Sequence, residues 1–170
     1  KGGWVSDDPK PLLDAAARGD REEVIRLLAL GEDVMKRDDG DRTALHLAVI
    51  GGHRGVVEAL LGVQGAERLT LARDEDAYTC LHFAAQHGSI DLIDMLVPVG
   101  GERMLGAKTA MHAWTAHEVA KRAGKADAAR HIKGMMDKEA PRTGSLGSQV
   151  GTWFKGRFGG SGSVSRGKDM

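Results

Sequence analysis

Residues 43–53 read Thr43-Ala44-Leu45-His46-Leu47-Ala48-Val49-Ile50-Gly51-Gly52-His53, and 36 positions on, residues 79–89 read Thr79-Cys80-Leu81-His82-Phe83-Ala84-Ala85-Gln86-His87-Gly88-Ser89. Each stretch is a short apolar run opened by Thr, with His three places later and Gly near its end. A fainter copy precedes them, Leu12–Arg18 before Gly19-Asp20, and another follows, His117–Ala123 before Gly124-Lys125. From Asp20 to His53 is 33 residues, from His53 to Ser89 is 36, and from Ser89 to Lys125 is again 36. A fixed period in this range marks stacked repeat units. After each Gly comes a second amphipathic segment: Arg21–Leu30, Gly55–Leu61, Ile90–Val97 and Asp127–Met136. In the second of these, Val56, Val57, Leu60 and Leu61 recur at helical spacing and form one apolar stripe. The Gly falls just past the first helix, where a left-handed backbone needs no Cβ. Neither helix can bury its stripe alone, so neighbours must stack.

Composition points the same way. Of 170 residues, 41% are hydrophobic and only 4% aromatic, so the core is built from Leu, Ala, Val, Ile and Met. Such side chains suit close-packed helices better than sheets. Lys and Arg number 24 against 24 Asp and Glu, which argues against a wholesale binder of nucleic acid or of a membrane surface. Cys80 stands alone, so no intramolecular disulfide can form, and the lack of any Asn removes N-glycosylation. No apolar run reaches the roughly 18 residues of a membrane helix. An intracellular setting is expected, cytoplasmic or organellar, since a chain that opens at Lys1 shows no native start.

The motifs resemble the ankyrin repeat. Thr43-Ala44-Leu45-His46 and Thr79-Cys80-Leu81-His82 are similar to its T-P-L-H signature, Asp38 and Asp74 stand where a repeat opens, and Gly52-His53 with Val56-Val57 and Leu60-Leu61 fits the continuation. The resemblance spans roughly Pro11 to Met136 as four repeats. It implies an all-α helix-turn-helix solenoid over residues 11–138, with 1–10 as an N-terminal extension and 139–170 as a flexible tail. It also assigns Thr43, His46, Thr79 and His82 a structural role, the imidazole tying each helix start to the neighbouring loop.

The departures carry information. Asp41 and Ala77 replace the Gly that usually opens a finger, and Ala44, Cys80 and Ala116 replace the motif Pro. Two fingers, Gly62–Arg73 and Pro98–Met111, are about three residues long beyond the family pattern, and each contains Glu-Arg (Glu67-Arg68, Glu102-Arg103). The last repeat has Glu118 in place of the motif His. It and the first repeat, with Asp14, Arg18, Asp20, Arg21, Glu22 and Glu23, read as polar caps.

No catalytic or metal constellation survives inspection. The pairs His82/His87 and His112/His117 are five apart, a spacing that turns the rings away from one helix face. Gly162–Lys168 spells a phosphate-loop pattern, but Asp169 stands where a hydroxyl is required and the segment follows Gly/Ser-rich chain. No enzyme activity and no cofactor are therefore expected.

In ankyrin-like proteins the partner-contacting positions flank the opening turn and line the concave end of the first helix. Carried onto this sequence, these are Asp39, Gly40, Arg42, Ile50 and Gly51, then Glu75, Asp76, Tyr78, Gln86 and His87, then Met111, His112, Trp114, Arg122 and Ala123. The residue before the motif Thr runs Arg42, Tyr78, Trp114, the residue types most enriched at binding hot spots. The alternative is that the fingers pack Tyr78 and Trp114 on each other. An acidic group, Asp38, Asp39, Asp41, Asp74, Glu75 and Asp76, biases the partner toward a basic surface.

Residues 140–170 hold eight Gly, five Ser and five Lys or Arg against one Asp, which leaves the rest of the chain at net −4. Such a segment does not bury enough to order itself. Within it Trp153, Phe154, Lys155, Arg157 and Phe158 interleave aromatics with cations, a pattern open to partner docking, to folding back on the repeats, or to membrane or nucleic-acid contact. The expected function is protein binding along the concave finger face with the tail as a second contact. The alternative is permanent membership of a large assembly, organellar or membrane-associated, with the tail ordered against neighbouring subunits.

Overall fold

Thr43, Thr79 and Thr115 adopt extended backbone (ψ 166 to 170°) and the residue after each begins a helix. The computed structural model describes residues 9–139, which among them form helices and turns and no strand. The order is α1 (Pro11–Arg18), α2 (Arg21–Ala29), α3 (Ala44–Ile50), α4 (Arg54–Leu61), α5 (Ala66–Thr70), α6 (Cys80–His87), α7 (Ile90–Leu105), α8 (Ala116–Arg122) and α9 (Ala126–Glu139). Helices α1, α3, α6 and α8 pack in sequence as one row, and α2, α4, α7 and α9 as a second row behind them. The all-α repeat solenoid expected from the sequence is the fold.

Each inner helix is small-residue rich on its buried side: Ala15 and Ala16, Ala44 and Ala48, Ala84 and Ala85, Ala116 and Ala120 are all sealed from solvent. Alanine lets adjacent rows approach closely, and Leu45, Leu60, Leu81, Ile93, Leu96 and Ile132 fill the space between. Between the two helices of each pair, Gly19, Gly52, Gly88 and Gly124 take φ of 70 to 77°, the left-handed position foreseen for them. Asp20 accepts from the Glu23 amide (3.1 Å) and caps α2.

The two long fingers both contain helix. In the first, α5 follows Gly65, and Leu69 and Thr70 turn inward and are fully buried. In the second, α7 runs on past Pro98, kinks at Gly101 (φ 61°, ψ −158°) and ends in a second limb with Met104 and Leu105 buried. Burial of one or two large side chains holds turns too short to be stable alone. The first repeat is also less polar on its outside than its charged residues imply, since Ile25 and Leu30 lie exposed.

Candidate finger interface

The polar framework begins at the helix starts. The amide of Thr43 (3.2 Å) and its hydroxyl (3.0 Å) both lie on His46 Nδ1, which accepts, leaving Nε2–H to donate to the carbonyl of Tyr78 at 3.3 Å. His82 repeats the arrangement with Thr79 (3.1 and 2.9 Å) and the carbonyl of Trp114 (3.1 Å). Both imidazoles are fully buried, and burial holds them below the ordinary histidine pKa, in the neutral form this bonding needs. The tie of helix start to neighbouring loop implied by the family resemblance is present at both. It lands on the main chain of the two aromatic residues, Tyr78 and Trp114.

Each finger closes by a turn. Asp38 Oδ1 accepts from the amides of Gly40 and Arg42 (2.9 Å each), and Asp74 Oδ1 from those of Asp76 (3.1 Å) and Tyr78 (2.8 Å). In the third finger the Thr109 hydroxyl accepts from the Trp114 amide at 3.2 Å instead. Adjacent fingers join through Glu75 N–H to the Gly40 carbonyl (3.2 Å) and Ala110 N–H to the Asp76 carbonyl (2.9 Å), so the tips stand in a row. Asp41, Ala77 and Ala113, 36 apart, all sit at left-handed φ of 51 to 60°, where an L side chain is strained.

Onto this row the structure places the expected contact residues as follows. Asp39 is exposed and pairs with Lys10 (3.2 Å), while Arg42 is half-buried and held by Asp38 (2.9 Å), so its guanidinium is already engaged. Ile50 is half-buried at the end of α3; Glu75, Asp76, Gln86 and His87 are exposed. Tyr78 is half-buried, its ring 5.4 Å from both His82 and Phe83. Trp114, also half-buried, stacks on the exposed His112 (4.2 Å, 24° between planes), and Arg122 lies over its ring at 4.1 Å. Trp114, Glu118, Lys121 and Arg122 line a shallow depression. The two aromatics thus have separate partners rather than each other. The tail residues Trp153, Phe154, Lys155, Arg157 and Phe158, and the Gly162–Lys168 pattern, lie outside the described residues.

Two participants escaped the sequence reading. Phe83 is half-exposed, packs on Tyr78 and meets His46 edge-on at 6.0 Å. The signal was its place one residue after the motif His, the same place as half-exposed Leu47. Lys121, exposed beside Arg122, completes the depression. Cys80, by contrast, is sealed: its thiol donates to the Thr70 carbonyl (3.4 Å) and burial pushes its pKa up to about 12, so it offers no nucleophile.

In the last pair Glu118 takes the histidine's place, accepting from the Thr115 amide (2.7 Å) and hydroxyl (3.0 Å), which hold its carboxyl below the usual range. Among the described residues, no helix is long and apolar enough to cross a membrane. No curated protein matches the chain. A family model described as ankyrin repeats (3 copies) matches residues 12–105, more than half of the chain, from α1 to the end of α7. Ankyrin repeats are generally protein–protein interaction modules and generally not catalysts. With that match, and with the Thr–His caps and stacked fingers in place, the chain belongs to the ankyrin-repeat family.

Proposed function

We propose that the finger face is the binding surface for a protein partner with a basic patch, and that the role is non-catalytic. The observation that carries the reading is the pinning of Tyr78 and Trp114. Each keeps a half-exposed ring while its carbonyl is held by a buried imidazole of the preceding repeat. Anchors held rigid before binding lose less entropy when the partner arrives. Asp39, Arg42, Ile50, Glu75, Asp76, Gln86, His87, His112 and Arg122 supply the rest of that face, with Arg42 already held by Asp38 and Asp39 by Lys10. A catalytic use of His46 or His82 is disfavoured because both ring nitrogens of each are engaged with the chain itself. The repeat domain of residues 11–138 supplies this face, and the segment 139–170, with Trp153, Phe154, Lys155, Arg157 and Phe158, supplies a tethered second contact that raises effective concentration.

The test pairs cross-linking with substitution. A photo-reactive residue at Met111, 81% exposed on the third finger, is expected to capture a partner that one at Glu58 on α4 does not. Tyr78→Ala with Trp114→Ala should leave helical content unchanged and weaken that capture at least tenfold. Undiminished capture by the double variant, or equal capture from Glu58, would sink the proposal.

A further inference from the structure

The charges along the finger row change sign. Asp41, Glu75 and Asp76 are exposed on the first two fingers, and among the described residues no cation lies within 4.0 Å of their side-chain carboxylates, Arg37 reaching only the main-chain carbonyl of Asp41 (2.9 Å). The third finger has no carboxylate between Lys108 and Trp114. Beyond it stand Lys121 and Arg122, both exposed and without a carboxylate partner among the described residues, Arg122 lying over Trp114. Glu118, in the same depression, is already engaged by the Thr115 amide and hydroxyl. Between the two ends the half-exposed rings of Tyr78 and Phe83 lie 5.4 Å apart.

From this order we infer that the occupant is an extended partner segment with its cationic end over the first two fingers, an apolar or aromatic middle on Tyr78 and Phe83, and a carboxylate end on Lys121 and Arg122 beside Trp114. The inference rests on the finger-face reading above and adds to it the partner's charge order. Main-chain bonds join the three fingers in order, and Arg122 at the end of α8 meets the third through the Trp114 ring. First finger to third is two helix-packing steps, about 16–20 Å. An extended chain rising roughly 3.3 Å per residue covers that in about five or six residues. Uncompensated charges at both ends steer the segment into one direction, because the reversed segment sets like charge against like.

Synthetic nonapeptides test this against the full chain by fluorescence anisotropy at low and moderate salt. All contain two lysines, two aspartates, a Leu-Trp-Leu centre and two glycines. One isomer places the lysines first, one places the aspartates first, and one alternates the charges. One of the two block isomers is expected to bind at least tenfold tighter than the alternating one, with salt eroding the difference. Glu75→Gln with Asp76→Asn, or Lys121→Gln with Arg122→Gln, should each cut that preference about threefold or more. The fourfold charge reversal Glu75→Lys, Asp76→Lys, Lys121→Glu and Arg122→Glu should make the other block isomer the better ligand. Equal binding of block and alternating isomers, or binding of neither block isomer, overturns the charge order. If equal binding still falls with Tyr78→Ala, the finger face stands and only the order is lost; if it ignores both Tyr78→Ala and Trp114→Ala, the face falls as well.

Discussion

The two interior repeats and the terminal pair use one helix position for different work. His46 and His82 each cap their own helix through Nδ1 and reach the next repeat through Nε2. Glu118 caps as well, with the Thr115 amide at 2.7 Å, but no further finger follows it among the described residues. A carboxylate can only accept, so it serves the local half of the task. The pairing separates helix capping from coupling between repeats. It also shows why an imidazole is suited to the interior, since one ring can accept on one side and donate on the other.

The largest effect should come from breaking the coupling. His82→Ala leaves the Trp114 carbonyl and the Thr79 donors buried with fewer partners, and it should cost about 2–4 kcal/mol of unfolding free energy. Glu118→Ala removes an exposed cap and should cost about 0.5 kcal/mol. His82→Glu sharpens the contrast: it keeps an acceptor for Thr79 but has no donor for Trp114, and so should fall nearer to His82→Ala than to wild type. Urea denaturation of the three variants decides it. Equal costs for His82→Ala and Glu118→Ala would mean that the inter-repeat bond adds nothing.

The same contrast predicts two pH windows. Burial lowers the pKa of His46 and His82, so as pH falls the unfolded chain takes up protons first, near 6.5. Their contribution is therefore present above about 6.5 and is lost progressively below it, at up to about 1.4 kcal/mol per pH unit for each ring. The pKa of the Glu118 carboxyl is also lowered, by its bonds to Thr115, but for an acid the contribution is present above the ordinary glutamate value of 4.5 and is lost as pH falls below it and through the lowered folded value. Urea midpoints should decline between pH 6.5 and 5 in wild type, and less so in a variant carrying Gln at both 46 and 82. A decline that the double variant leaves unchanged would assign acid sensitivity to other groups.

The repeat period and the helix pairs were legible because they rest on local rules. Thr before an apolar run starts a helix, and Gly after it stops one, as Gly52 and Gly88 do. Helix α5 was not legible, since five residues carry little propensity and what holds them is Leu69 sealed against its neighbours, a tertiary fact. The fingers named Tyr78 and Trp114 from residue type and register, yet their supports came from other places in the chain. Phe83 lies on the next helix and Arg122 eight residues on, and the distances that bring them under the rings depend on how the helices stack. Arg42 shares the register but is held by its own Asp38, a bond across four residues that register alone does not reveal.

A small effect is also expected at the finger tips, where three repeats agree in backbone while Asp41 differs in side chain from Ala77 and Ala113. Asp41, Ala77 and Ala113 stand at φ of 59, 60 and 51°. A left-handed alanine costs roughly 1–2 kcal/mol, whereas Asp tolerates the region better through its short polar side chain. Replacing the residue by Gly removes the strain but returns conformational freedom to the unfolded chain, which takes back roughly 0.4–1 kcal/mol. Ala77→Gly and Ala113→Gly should therefore stabilise by about 0.5–1 kcal/mol each, and Asp41→Gly by less. Thermal unfolding of the three single variants measures the order. A loss of stability at Ala77 would show that its methyl group makes a packing contribution larger than the strain it carries, and would move that finger from a strained turn to a packed one.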